Sequence, residues 1–118
     1  MKQLSMDKDK MEVEKICDLV RHLVSDGNYE TCEEILSNMM GKHPHAPEPH
    51  NLFGVLYEKE GKYTEAMKHF RAAWALDPTY LPARFNMELY TSFDTDFAIK
   101  GKAAFDEEDC PEIQEGKK

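Results

Sequence analysis

Three histidines lie close together in the stretch GKHPHAPEPH, where they have the right chemistry to bind a metal ion. His43 and His45 are two residues apart and His50 follows them, and imidazole nitrogens are common ligands of zinc and nickel. However, the three prolines keep this stretch extended, and no cysteine or helical i, i+4 histidine pair completes a ligand set. We therefore interpret the stretch as an exposed connector and expect no metal and no other cofactor. A metal-responsive protein remains an alternative.

The cysteines offer a second possible chemistry, that of a nucleophile beside a base. Cys17 and His22 are five residues apart, so on one helix they point to different faces and cannot act together. Cys32 takes a small-residue position and is expected to pack as a small hydrophobe. The cysteines are odd in number and widely spaced, which disfavours disulfides and suits a reducing cytoplasm. We expect a protein that is not an enzyme.

Composition limits the class of partner. The chain has 118 residues, with 15 Lys and Arg against 23 Asp and Glu, for a net charge of −8. Such a surface repels phosphate backbones, so nucleic acid is excluded as a partner and a basic or apolar protein segment fits better. No apolar run is long enough to span a membrane, and the N-terminal residues do not form a secretory signal.

The elements that position these residues are helices. Apolar residues recur at spacings of three and four, without period-two alternation, and Pro and Gly residues divide the pattern. The predicted helices are 11–26, 29–40, 49–60, 64–76 and 81–93, followed by a weaker segment, 94–105. Residues 106–118 are expected to form a flexible acidic tail, so that 1–105 is a single domain.

A repeat with a period of 34 residues runs through this pattern. Gly27 and Gly61 are 34 residues apart, and each separates two predicted helices. At the same spacing Leu19 matches Phe53, Leu23 matches Tyr57, Tyr29 matches Tyr63, Cys32 matches Ala66, Leu36 matches Phe70 and Pro44 matches Pro78. The sequence therefore predicts two helical hairpins, 13–46 and 47–80.

Small residues mark where the helices of a hairpin meet. Gly54 inside a helix costs about 1 kcal/mol relative to alanine, unless close approach of another helix offsets the loss. Ala66 and Ala73 lie one turn before and after Phe70 on the next helix. We therefore expect the two helices to approach closely at Gly54, with Tyr57 and Phe70 filling the space beside the small residues.

This pattern resembles the tetratricopeptide repeat, a family of 34-residue helix–turn–helix units. The resemblance is strongest in 47–80, weaker in 13–46 and weakest in 81–105, which is similar to a degenerate capping unit. The residues that carry it in the strongest unit are Phe53, Gly54, Tyr57, Gly61, Tyr63, Ala66, Phe70, Ala73 and Pro78. It implies an all-α fold: an α-solenoid of two hairpins plus the cap.

The resemblance also implies a binding site, because the family binds proteins in a concave groove lined by the first helix of each unit. The groove residues transferred to this chain are Arg21, Asn51, Val55, Glu58, Phe85 and Leu89. The alternative is that the 94–105 segment or a second copy of the chain covers Phe85, Leu89 and Phe93. Some members clamp a terminal carboxylate, but at those positions only Arg21 and Asn86 have suitable chemistry. We therefore do not expect recognition of an acidic C-terminus.

The function expected from the resemblance is protein–protein interaction, as an adaptor or scaffold that binds a peptide or helix of its partner. The alternative is a structural subunit that self-assembles weakly, as a homodimer, through its C-terminal end. That end is rich in large apolar residues: Phe85, Leu89, Tyr90, Phe93, Phe97 and Phe105.

Overall fold

The computed structural model describes the backbone of residues 2–91 and 103–110, and the side chains of residues 11–89, 103–107, 109 and 110. The predicted all-α class is confirmed, since this part of the chain contains helices and no strand. The elements are α1 (Lys2–Ser25), α2 (Tyr29–Lys42), α3 (Glu48–Lys59), α4 (Tyr63–Leu76), α5 (Leu81–Thr91) and one 3₁₀ turn (Glu107–Asp109).

Four of the five predicted helices begin within one residue of the expected position, whereas α1 begins much earlier. It starts at Lys2 rather than Met11, because residues 2–10 contain good helix formers and neither Pro nor Gly. The predicted end of α5 at Phe93 and most of the weaker segment, 94–102, lie outside the described residues. Residues 103–105 are not helical, which corrects the end of that segment.

Glycines in the left-handed conformation end the first helix of each hairpin. Gly27 has φ +78° and Gly61 has φ +80°, values that L-residues with a side chain rarely adopt. After α1, the Asn28 N–H donates to Leu23 O at 2.8 Å, and the Gly27 N–H donates to Val24 O at 3.0 Å. The bonds from Lys62 to Tyr57 (2.8 Å) and from Gly61 to Glu58 (3.0 Å) repeat this Schellman cap after α3.

The backbone hydrogen bonds outside the regular helices recur with the same 34-residue period. The His43 N–H closes α2 on Met39 O, and the Asp77 N–H closes α4 on Ala73 O. The bonds Cys32 to Asn28 and Ala66 to Lys62 form a second matched pair, and Ala46 to His43 and Tyr80 to Asp77 a third. The period predicted from side chains is therefore also a period of the backbone.

Each helix packs against the next one along the chain, and α1 also contacts α3. The largest buried cluster joins α1, α2 and α3, and includes Val20, Leu36 and Leu56, all fully buried. A second cluster joins α3 and α4 through Val55, Ala66 and Phe70. These clusters hold α1 and α3 side by side.

The predicted close crossing of α3 and α4 is confirmed. A Cβ built on Gly54 would lie 2.8 Å from Phe70 Cζ and closer still to two other ring atoms. Ala66, Phe70 and Ala73 are at most 2% exposed. Gly54 thus lets the Phe70 ring pack directly on the α3 backbone.

Candidate functional site

Segment 103–110, which includes the 3₁₀ turn, crosses the face formed by α1, α3 and α5. We call this face the groove. Cys17 and Arg21 of α1, Asn51 of α3 and Asn86 of α5 contact the segment directly. The groove therefore holds a stretch of polypeptide, supplied here by the same chain.

Two buried asparagines bind the backbone of the segment. The Asn86 side chain donates to Ala104 O at 2.9 Å and accepts from the Ala104 N–H at 2.6 Å, as a neighbouring strand would. Asn51 donates to Ala104 O (2.9 Å) and to Phe105 O (3.3 Å), and its own oxygen accepts from Asn86 at 2.9 Å. Both asparagines are fully buried. These bonds recognise an extended backbone rather than a particular side chain.

Arg21 holds the acidic end of the segment. Its guanidinium lies 2.9 Å from Asp106 Oδ2 and forms a pair of bonds to Asp109 at 2.9 and 3.2 Å. It also lies over the Phe105 ring, 4.7 Å from the centroid. Asp109 in turn accepts from the Phe105 N–H at 2.9 Å, which fixes the turn. Arg21 therefore joins an aromatic and two acidic residues of the segment.

Cys17 lies beneath the segment. Its thiol donates to Phe105 O at 3.6 Å and lies 3.7 Å from Asp106 Oδ2. Burial, with the Asp106 charge adding to it, raises the pKa of Cys17 to about 12. His22, considered above as its base, is exposed. All three cysteines are free and buried.

The six predicted groove residues do not form one open patch. Arg21 and Asn51 contact the segment, and Val55 is fully buried in a cluster with Ala103. Glu58 is 3% exposed, with its carboxylate 3.8 Å from Lys59 Nζ. Phe85 and Leu89 are half-buried. Segment 103–110 therefore covers three of the six, Arg21, Asn51 and Val55.

The predicted boundary of the tail also needs correction. We expected a flexible tail from residue 106, but Asp106 and Asp109 pair with Arg21, and Cys110 is 1% exposed. Residues 106–110 therefore belong to the folded unit. Residues 111–118 lie outside the described part of the chain.

A cavity of about 350 Å³ opens beside the segment, between α1 and α3, and we call it the acidic cavity. Its lining contains five carboxylates and two weaker acids: Glu14, Asp18, Glu48, Asp106, Glu107, Cys17 and Tyr80. Burial raises the pKa of Glu48, and the charges of Asp77 and Glu107 raise it further. The cavity thus places three exposed carboxylates, those of Glu14, Asp18 and Glu107, around the partly buried Glu48.

The opposite side of the segment has a different character. A hollow of about 240 Å³ there is lined by Arg21, Lys59, Tyr29 and Phe105, among others. A ligand lying along the groove would therefore meet negative charge on one side and positive charge on the other.

The histidine-rich connector does not bring its three histidines together. His50 instead lies against His69 of α4, with 3.2 Å between the two Nδ1 atoms, and His69 stacks on Phe53 and Tyr57. Burial lowers the pKa of both His50 and His69. In the part of the chain that the structure describes, no three His, Cys, Asp or Glu side chains are placed to hold one metal ion.

The C-terminal end, on which the self-assembly alternative depends, is only partly described. The Phe105 side chain packs under Arg21, and those of Tyr90, Phe93 and Phe97 lie outside the described residues. None of the described helices is both long and apolar enough to cross a membrane.

Sequence reasoning missed two residues of the site as groove ligands, Asn86 and Tyr80. Asn86 had been noted for its chemistry alone, and Tyr80 had no motif to mark it. One signal was present: Glu14 and Glu48 are 34 residues apart, as are Cys17 and Asn51. Equivalent positions of the two units therefore face the same place: Glu14 and Glu48 line the acidic cavity, and Cys17 and Asn51 contact segment 103–110. No protein-family model, curated protein or solved structure matches the chain.

Proposed function

We propose that this chain is a protein–protein interaction module of the tetratricopeptide type, an adaptor or scaffold built as a small α-solenoid. The proposal is supported by the 34-residue period of the turns and caps, and by the packing of each helix on the next. The contact of α1 with α3 also suits this architecture, since it places the first helices of successive units side by side. The cytoplasm is the proposed compartment.

The observation that carries the proposal is the occupied groove. Asn51 and Asn86 bind an extended backbone, which is how a peptide of another protein would also be held. Few of these bonds depend on the side chains of the bound segment. The groove is thus suited to any extended segment that places small residues over the asparagines.

The segment of the chain itself competes with a partner for this groove. A partner binds only when segment 103–110 has left, so its apparent affinity is reduced by the fraction of molecules that are closed. The contacts of Arg21 with Asp106 and Asp109 are half-exposed, and such ion pairs contribute about 1 kcal/mol or less each. These ion pairs are therefore the part of the hold on the segment that a substitution can weaken while the buried bonds of Asn51 and Asn86 stay in place.

Affinity capture from the native cell extract, with full-length variants, tests this function. Asp106→Asn/Asp109→Asn weakens the hold on the segment and leaves the groove helices unchanged, so it should capture more of a true partner than the wild type. The matched control is Lys68→Gln/Arg71→Gln on the exposed face of α4, which should capture as the wild type does.

A synthetic peptide of residues 103–110 should compete for the captured protein, whereas a scrambled peptide should not. Equal capture by all three proteins, unaffected by the peptide, would show that the groove is not the binding site. Light scattering on the same samples separates partner binding from self-assembly.

A further inference from the structure

Among the described residues, the acidic cavity holds more negative charge than neighbouring cations neutralise. Asp106 pairs with Arg21, but Glu14, Asp18, Glu48 and Glu107 have no ion-pair partner within the described residues. The partly buried Glu48 is repelled by Glu107, whose charge is one cause of the raised pKa of Glu48. A ligand that carries positive charge would relieve this repulsion.

Tyr80 gives a second, independent indication of a ligand. Its side chain is 7% exposed and lines the cavity, and its hydroxyl has no hydrogen-bond partner in the described part of the chain. The hydroxyl is not among the fully buried unsatisfied atoms, so it opens into the cavity, where a bound group can pair with it. The phenol oxygen can accept a hydrogen bond from a cationic N–H donor.

The size of the cavity indicates an organic cation rather than a metal ion. The described carboxylates do not form a group of three that could hold one metal ion. A volume of about 350 Å³ lies at the small end of the range for ligand sites, about 300–1,000 Å³, and suits one long side chain. Arginine and lysine provide an apolar stem and a charged head that binds several carboxylates.

The segment that now occupies the groove is a poor match for this cavity. It places the exposed, unpaired carboxylate of Glu107 beside Glu14 and Glu48, so that like charges face each other. An incoming segment with a basic residue at this position would exchange repulsion for attraction. Charge thus favours replacement of the internal segment by such a partner.

Resting on the proposed function, we propose that the acidic cavity is a specificity pocket for an arginine or lysine side chain of the partner. The partner segment lies extended over Asn51 and Asn86, and its basic side chain enters between Glu14, Glu48 and Tyr80. Arg21 meets an acidic residue of the same segment, as it does in the closed chain. The partner is therefore an extended protein segment of mixed charge.

The first test uses the full-length chain and introduces the positive charge into its own segment 103–110. With Glu107→Arg, the segment should be held more tightly, and alkylation of Cys17 beneath it should slow about tenfold, the effect of one close ion pair in a half-buried site. Glu107→Gln should slow it about threefold. Glu34→Arg makes the same charge change on the exposed face of α2 and should have no effect.

The slower alkylation of Cys17 in Glu107→Arg must depend on the carboxylates of the cavity. In a Glu48→Gln background, Glu107→Arg should slow the alkylation of Cys17 less than threefold. If Glu107→Arg does not slow alkylation, or slows it equally without Glu48, the pocket is refuted.

The second test supplies the segment from outside. Two labelled peptides copy residues 103–110 with serine for the cysteine, one with arginine and one with citrulline in place of Glu107. Titrated into the full-length Asp106→Asn/Asp109→Asn protein, the arginine peptide should bind about tenfold more tightly, and Glu48→Gln should abolish the difference. Magnesium at matched ionic strength should not compete.

The outcomes separate the two proposals. Equal binding of both peptides overturns the pocket and leaves the groove function intact. Failure of both peptides to bind, together with slowed alkylation in Glu107→Arg, overturns the groove function and supports the cavity as a cation site. Displacement of the arginine peptide by magnesium would make the cavity a metal site and overturn the pocket.

Discussion

Gly54→Ala should destabilise the protein, although alanine is the better helix former. Helix propensity alone predicts a gain of about 1 kcal/mol for this change. The new Cβ would overlap the ring of Phe70, lying 2.8 Å from Cζ and closer to two further ring atoms. Because Phe70 is fully buried, its ring has no open space to move into, and overpacking of this kind costs about 1–3 kcal/mol. With three ring atoms involved we expect the upper end, for a net loss of about 2 kcal/mol.

Gly41→Ala is the matched control. Gly41 is also helical, but nothing lies within 4 Å of its built Cβ, so this change should stabilise by about 0.5–1 kcal/mol. Denaturant unfolding followed by far-UV circular dichroism measures both variants. In a double-mutant cycle, Phe70→Leu should recover about 1 kcal/mol in the Gly54→Ala background. If the two alanine variants are equally stable, the close crossing is placed wrongly. Gly54→Leu, with a much larger side chain, should fail to fold.

Three further predictions follow from the site. The pKa values of His50 and His69 are lowered by burial, so the unfolded chain takes up protons first as the pH falls below about 6.5. The free energy of unfolding should therefore decline from pH 7 to 5. It should decline less in His69→Phe, which keeps an aromatic ring in the stack. Equal dependence on pH in the two proteins, measured by denaturant unfolding, would contradict this. The raised pKa of Cys17 should make its alkylation by iodoacetamide at pH 8 slower in the native than in the unfolded chain, by on the order of a thousandfold, as read by mass spectrometry; similar rates would show that the thiol is not covered. Arg21→Gln should release segment 103–110 more often and speed that alkylation, and added salt should speed it in the wild type but not in the variant.

The helices and their turns could be predicted because local residues determine them. Gly27 and Gly61 are needed for the left-handed caps, and Gly54 is needed at the crossing. Glycine at each position can therefore be recognised in the sequence. The early start of α1 was missed because residues 2–10 carry no clear apolar stripe. Helix propensity is sufficient to extend α1 through these residues.

The sequence leaves open that the 94–105 segment covers the groove, but it does not show that residues 103–110 do so or which contacts they make. Their bonds to Asn51 and Asn86 use backbone atoms of Ala104, and backbone atoms are the same in every residue. The acidic residues of segment 103–110 are indistinguishable by composition from a solvated tail. The acidic cavity was likewise hidden, because Glu48 and Glu107 meet only once the segment has returned.

Segment 103–110 connects the two ends of a chain whose other contacts are mostly between neighbouring helices. The contact between Cys17 and Phe105 joins residues 88 positions apart. In a linear array of repeats, the terminal units can fray separately, since each is supported from one side only. Here segment 103–110 contacts both α1 and α5, so unfolding of either helix removes support from the other. Amide hydrogen exchange should therefore show α1 and α5 opening together as one cooperative unit. This coupling should vanish when the contacts of segment 103–110 with the two helices are weakened.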